Sequence, residues 1–198
     1  MLSRMRSAYP RLVAWPSARR FGADERGLSA IEFALVLPFM LTLYLGGVQL
    51  SQAIDIDRKI TLSARTLADL VAQVSNIDPA GINTVLNAGA TVMSPYADRA
   101  ADASKLKVRI SVIKIDAQLK QTVEWSMAKN WTPLKNGEVN VPGELAKIAD
   151  SYLVLGEAAY AYTPPIGYAL TGTLNMDDRI YMRPRLSTNV VCTSCPKT

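Results

Sequence analysis

"RGLSAIEFALVLPFMLTLYLGGVQL", Arg26 to Leu50, decides how this chain is organised. From Leu28 to Leu50 it runs 23 residues with Glu32 as the only charge. At ~1.5 Å rise per residue, a bilayer core takes about 20 helical residues, so the run is long enough to span. The apolar part of a signal peptide is shorter, roughly 7 to 15 residues, and ends in a small-residue cleavage site. "LGGVQLSQA" offers small residues near Gly47, which keeps cleavage there open as an alternative. Pro38 is tolerated in a spanning helix because neighbouring groups satisfy the freed carbonyl, and it predicts a kink rather than an end. Glu32 is the anomaly. A carboxylate deep in a membrane costs about 2.5 to 3.5 kcal/mol, falling toward the edges, so the bland reading is a polar residue near the helix end.

On the N-terminal side, residues 1 to 27 hold six arginines (Arg4, Arg6, Arg11, Arg19, Arg20, Arg26) against Asp24 and Glu25, a net of +4 out of +5 for the whole chain. Basic residues flanking an apolar segment predict a cytoplasmic N-terminus. A nucleic-acid binder would carry them on its folded domain, interleaved with aromatics, so no nucleic-acid partner is expected. The 198 residues contain no histidine, which removes the commonest general base and metal ligand. With no legible nucleophile–base pair, phosphate loop or metal set, the chain reads as a non-enzyme without cofactor or metal.

On the C-terminal side the helical pattern continues as an amphipathic extension over 51–77. Ile56, Ile60, Ala64, Leu67, Leu70, Val71 and Val74 form one apolar stripe. Asp55 with Lys59, and Arg65 with Asp69, stand at ion-pair spacing along it. Residues 78–198 then read as an α+β domain. Asp78 caps a helix with Pro79 in its first turn and Ile82, Val85 and Leu86 on its apolar face. "SPYADRAADASK" reads as a surface loop. "KLKVRISVIKID" alternates Leu106, Val108, Ile110 and Val112 against Lys107, Arg109 and Ser111, a half-buried strand. "KQTVEWSMAKNW" makes a second strand with Val123 and Trp125 facing one way, "GELAKIAD" a short helix or turn, "SYLVLGEAAYAYTPP" a third strand. "RIYMRPR" makes a short fourth strand, at an edge because Pro184 cannot donate to a ladder. Asp177 and Asp178 fall in a solvated turn before it.

Gly27 followed by Leu28-Ser29-Ala30-Ile31-Glu32-Phe33 resembles the prepilin pattern, in which a peptidase cuts after glycine on the cytoplasmic side and glutamate stands fifth in the mature chain. More narrowly, "ERGLSAIEFALVLPFML", with the downstream order of "VEWSMAKN", "SYLVLGEAAYAYTPP" and "YMRPRLS", resembles the TadE family of the tight-adherence (Flp) pilus systems. The Asp-x-Ser-x-Ser metal-binding motif often carried by the related TadG type is absent.

The resemblance implies a pilin-like α+β fold on a long N-terminal membrane-spanning helix: basic cytoplasmic leader 1–27, span 28–50, helical extension, and a periplasmic domain with a small antiparallel sheet. It implies a pseudopilin of the bacterial inner membrane, cleaved between Gly27 and Leu28, with Glu32, Phe33 and Pro38 on the helix that meets its partners. Those partners would be a prepilin peptidase, the major pilin and other pseudopilins, and the inner-membrane platform. The competing reading is an uncleaved, permanently anchored periplasmic binding or sensor module, with Gly27 a helix-start glycine.

Gly46 and Gly47 read as a flexible point where the span ends, or as a close-packing site. Cys192 and Cys195 form Cys-x-x-Cys with no other cysteine or histidine to complete a zinc set, and only three residues follow. In an oxidising compartment a disulfide is the expected outcome, with interchain pairing or free thiols as alternatives. Trp125, Trp131, Tyr160 and Tyr162 read as core or cross-strand aromatics before a ligand surface.

Overall fold

The computed structural model describes residues 26–98, 100–165 and 172–195. The leader expected over residues 1–27 lies outside them up to residue 25. The chain divides at Gly46/Gly47 into two compact units, although helix α1 (Arg26–Ala72) belongs to both.

In the first unit α1 runs through Pro38 without ending, and Thr42 Oγ1 donates to the Pro38 carbonyl at 2.8 Å. Its apolar side chains have no cover: Phe33 is 64% exposed, Leu35 73% and Phe39 72%. The most apolar 18-residue window of α1 has a mean hydropathy of 1.9, long and apolar enough to cross a membrane.

The second unit is an α+β body. After α1 come β1 (Asn76–Ile77), α2 (Pro79–Val92), the one-turn helix α3 (Ala100–Ala103), β2 (Leu106–Ile115) and β3 (Gln121–Lys129). A 3-10 turn (Asn136–Glu138), α4 (Gly143–Ala146), β4 (Ser151–Tyr162), β5 (Leu174–Met182) and β6 (Val191–Cys192) complete it. Four strands form an antiparallel sheet in the order β3-β2-β4-β5. The segment 47–72 of α1 lies on one face of it, burying Ile56, Ile60, Ala64, Leu67, Ala68 and Val71. Against them stand Val108, Ile110 and Val112 of β2 and Val154, Ala158 and Tyr160 of β4. Gly156 sets how closely they meet, because a Cβ there would run into the Ala64 carbonyl oxygen and come within 2.9 Å of Ala68 N. Helix α2, capped by Asp78 accepting from Gly81 N at 2.8 Å, packs beside α1, where Ser63 Oγ donates to Gly89 O at 2.8 Å.

Several expectations need correction. The extension is helical only to Ala72; Asn76 and Ile77 pair in parallel with Val191 and Cys192, so the C-terminal tail closes over the helix end. Of the expected stripe, Leu70 stays 37% exposed. The surface loop contains α3, and Asp102 there accepts from Lys105 Nζ at 2.8 Å. Asp55, Lys59 and Asp69 make tertiary contacts in place of the expected ion pairs along the helix. Asp55 accepts from Tyr96 OH at 2.9 Å and Lys59 donates to Ser94 O at 2.8 Å, while Asp69 pairs with Arg185 at 2.6 Å.

Val123 and Trp125 do not face one way. A bulge between Val112 and Ile113 leaves Glu124 extra, sending Trp125 to the helix side and Val123 to the opposite face. Asp177 and Asp178 lie within β5, which is longer than expected and does form a sheet edge. Asp178 is held there by Thr61 Oγ1, which donates to it at 2.6 Å. β2 is also not half-buried. Ile113 and Ile115 continue its second face into a smaller core with Leu153, Leu155, Leu134 and Val141, roofed by the 130–146 segment.

Candidate functional site

The residues that the sequence singled out at the start of α1 share one property: they are exposed among the described residues. A Cβ built on Gly27 meets no atom within 4 Å, and Leu28 is 59% exposed. Glu32, Phe33 and Pro38 are exposed as well. The fold supplies no partner for Glu32 among the described residues. Gly46 and Gly47 also face open space.

Cys192 and Cys195 are joined in a disulfide beside the short parallel pairing of β1 and β6. Trp125 is buried and its Nε1 donates to Val190 O at 2.9 Å, fastening the same tail to the sheet. Tyr160 and Tyr162 belong to the main core, and their hydroxyls donate to Tyr96 O at 3.0 Å and Gln52 Oε1 at 3.2 Å. Burial pushes both phenols above their ordinary range, since ionising them would place charge in a poorly solvated site. Tyr96 is raised by the same cause, then by its bond to the Asp55 carboxylate.

Sequence reasoning missed one constellation. On the outer face of the sheet Arg109 Nε and Nη2 donate to Glu157 at 2.6 and 3.0 Å, and Arg109 Nη1 donates to Thr132 O at 3.2 Å. The pair is nearly inaccessible, with side chains 8% and 5% exposed. Trp131 covers the guanidinium with its ring centroid at 4.4 Å, so it is neither core nor cross-strand. Alternation placed Arg109 on a solvent face. The overlooked signal was Glu157, a lone carboxylate inside the apolar run "SYLVLGEAAYAY", which requires a cation once that strand is central. Among the described residues no group of histidine, cysteine, aspartate or glutamate could hold a metal ion.

The fold and the unpartnered helix together define an α+β protein with one N-terminal helix fit to anchor it in a membrane. Residues 27–69 match the TadE family model, described as TadE-like protein. The match covers less than half of the chain. It begins at the glycine of the expected cleavage site and takes in Glu32, Pro38 and most of the buried stripe. The likeness is confined to α1. No curated protein and no solved structure matches the chain.

Proposed function

We propose that the protein is a TadE-like pseudopilin that takes part in assembling tight-adherence pili, after a prepilin peptidase removes its leader behind Gly27. The observation that carries this reading is the uncovered apolar helix of the first unit, bearing one carboxylate and beginning where the family match begins. Such a surface requires lipid or other helices around it. Cleavage creates an amine on Leu28. Glu32 of a neighbouring subunit neutralises that amine within the membrane, where an unpaired charge is expensive. The body would then lie in the periplasm, with the major pilin, other pseudopilins and the inner-membrane platform as partners. No catalytic role is proposed for it.

The test separates processing from assembly. A Cβ at Gly27 meets no described atom within 4 Å, so Gly27→Ile should leave a folded, full-length protein in the membrane by blocking the peptidase. Glu32→Ala should insert and be trimmed like the parent, yet fail to support piliation in cells lacking the native copy. Intact masses from membranes and a filament count read the two steps. Normal piliation by Glu32→Ala would sink the role given to the carboxylate and favour an anchored binding module.

A further inference from the structure

The outer face of the sheet has two unlike halves. One is roofed by the 130–146 segment over the smaller core. The other is uncovered among the described residues and forms a trough of about 330 Å³ running along β4. Its floor is Ala159 and Ala161, small side chains between longer ones on both neighbouring strands. Lys107 stands opposite Ala159 on one side and Asp177 on the other, two strand spacings or about 10 Å apart. Lys105 and Asn175 extend these walls toward Ala161. The inner end is closed by Arg109, Glu157 and Arg179, three charges of alternating sign in register across β2, β4 and β5.

The charges are not balanced. Arg109 is committed to Glu157, and Lys105 to Asp102. Lys107 is exposed and has no ion-pair partner among the described residues. The trough therefore offers two cations without an ion-pair partner among the described residues, Lys107 on the β2 wall and Arg179 at the inner end of the β5 wall, with acceptor oxygens of Asp177 and Asn175 farther along the β5 wall. A polypeptide supplies the complement: a carboxylate side chain for Lys107 and backbone N–H groups for the opposite wall, above a floor low enough to admit its main chain. A uniformly anionic polymer would meet Lys107 and Arg179 but has no donor for Asp177, whereas a peptide main chain does.

We propose that this trough docks an acidic peptide segment of a partner subunit. The inference rests on the assembly reading for the identity of the partner but not for the binding itself. The probe is a fluorescein-labelled peptide of alternating glutamate and serine, titrated by anisotropy onto the full-length, uncleaved protein in detergent. Lys107→Glu should weaken binding at least tenfold, and Ala159→Leu, which fills the floor without changing charge, at least fivefold. Lys120→Glu, an equal charge change in the β2–β3 turn, should leave it unchanged. Thermal unfolding shows that each variant is folded, and Lys107→Glu carries the test if Ala159→Leu is not.

The proposal is overturned if the parent does not bind at millimolar peptide, or if the glutamine counterpart binds equally. It also fails if Lys120→Glu weakens binding as much as Lys107→Glu, if folded Ala159→Leu binds like the parent, or if an oligogalacturonate binds as tightly. Peptide binding with normal piliation by Glu32→Ala would leave the trough standing and remove the pseudopilin mechanism. The reverse pair of results would do the opposite.

Discussion

Helix α1 is one element with two fates. Over residues 28–46 its large apolar side chains are uncovered, while over 47–72 Ile56, Ile60, Leu67 and Val71 are at most 1% exposed. The second stretch is amphipathic because a sheet of the same chain receives one face of it; the first is apolar on nearly every side and is exposed among the described residues. Each fully buried isoleucine or leucine contributes about 1.5 to 3 kcal/mol, so the 47–72 stretch is stabilised by its own domain. The first stretch gains nothing comparable from the described residues, and its exposed apolar surface calls for lipid or other helices around it. Substitutions in the body should accordingly destabilise it without altering membrane insertion, which any shared effect would contradict.

The largest expected effect lies in the buried ion pair. Arg109→Met leaves Glu157 enclosed without its cation, and losing one member of such a pair costs about 3 to 5 kcal/mol. Arg109→Met with Glu157→Leu should recover most of that loss, because an apolar pair of similar volume needs no desolvation. Denaturant unfolding of the detergent-solubilised protein measures both. A single variant as stable as the parent would mean the pair is solvated. Next comes Gly156→Ala, expected to cost about 1 to 3 kcal/mol, the range for overpacking a tight core. The added methyl meets the Ala64 carbonyl and Ala68 N, main-chain atoms that cannot rotate away. Gly46→Ala, on a glycine facing open space, should leave the same unfolding curve in place. Equal effects at the two glycines would erase the distinction between the units.

What the sequence made legible follows that same division. The apolar run, Glu32 and the prepilin-like spacing are local patterns, readable because an uncovered helix owes its composition to its surroundings and not to distant parts of the chain. The stripe from Ile56 to Val71 and the strands β2 to β4 were also legible, since alternation and helical spacing are local. The misreadings in the sheet involve contacts distant in sequence. Asp178 reads as a turn residue until Thr61, 117 positions away, donates to it. Arg109 reads as solvated until Glu157 and Trp131 enclose it. The Val123–Trp125 pair was misassigned by one bulged residue, which alternation cannot reveal because it inverts the pattern on one side only.

The smallest expected effect is at the Cys192–Cys195 disulfide, and it tests what holds the tail to the end of α1. The bond closes a short loop, so its stabilisation through the unfolded chain should fall below the ~3 kcal/mol associated with a 15-residue loop. The tail also has independent attachments. Val191 N donates to Ser75 O at 3.1 Å, Thr193 N to Ile77 O at 3.1 Å, and buried Val190 accepts from Trp125. With roughly 2 to 4 °C of Tm per kcal/mol at this size, reduction or the double Cys192→Ser, Cys195→Ser change should lower the Tm by only a few degrees. Trp125→Phe, which keeps the ring's bulk and removes the indole donor, should cost a comparable amount, about 1 kcal/mol for one buried hydrogen bond. If reduction instead unfolds the body while Trp125→Phe leaves it intact, the covalent bond holds the tail and the pairing of β1 with β6 is a consequence of it. If the two small losses add in the combined variant, the attachments act independently.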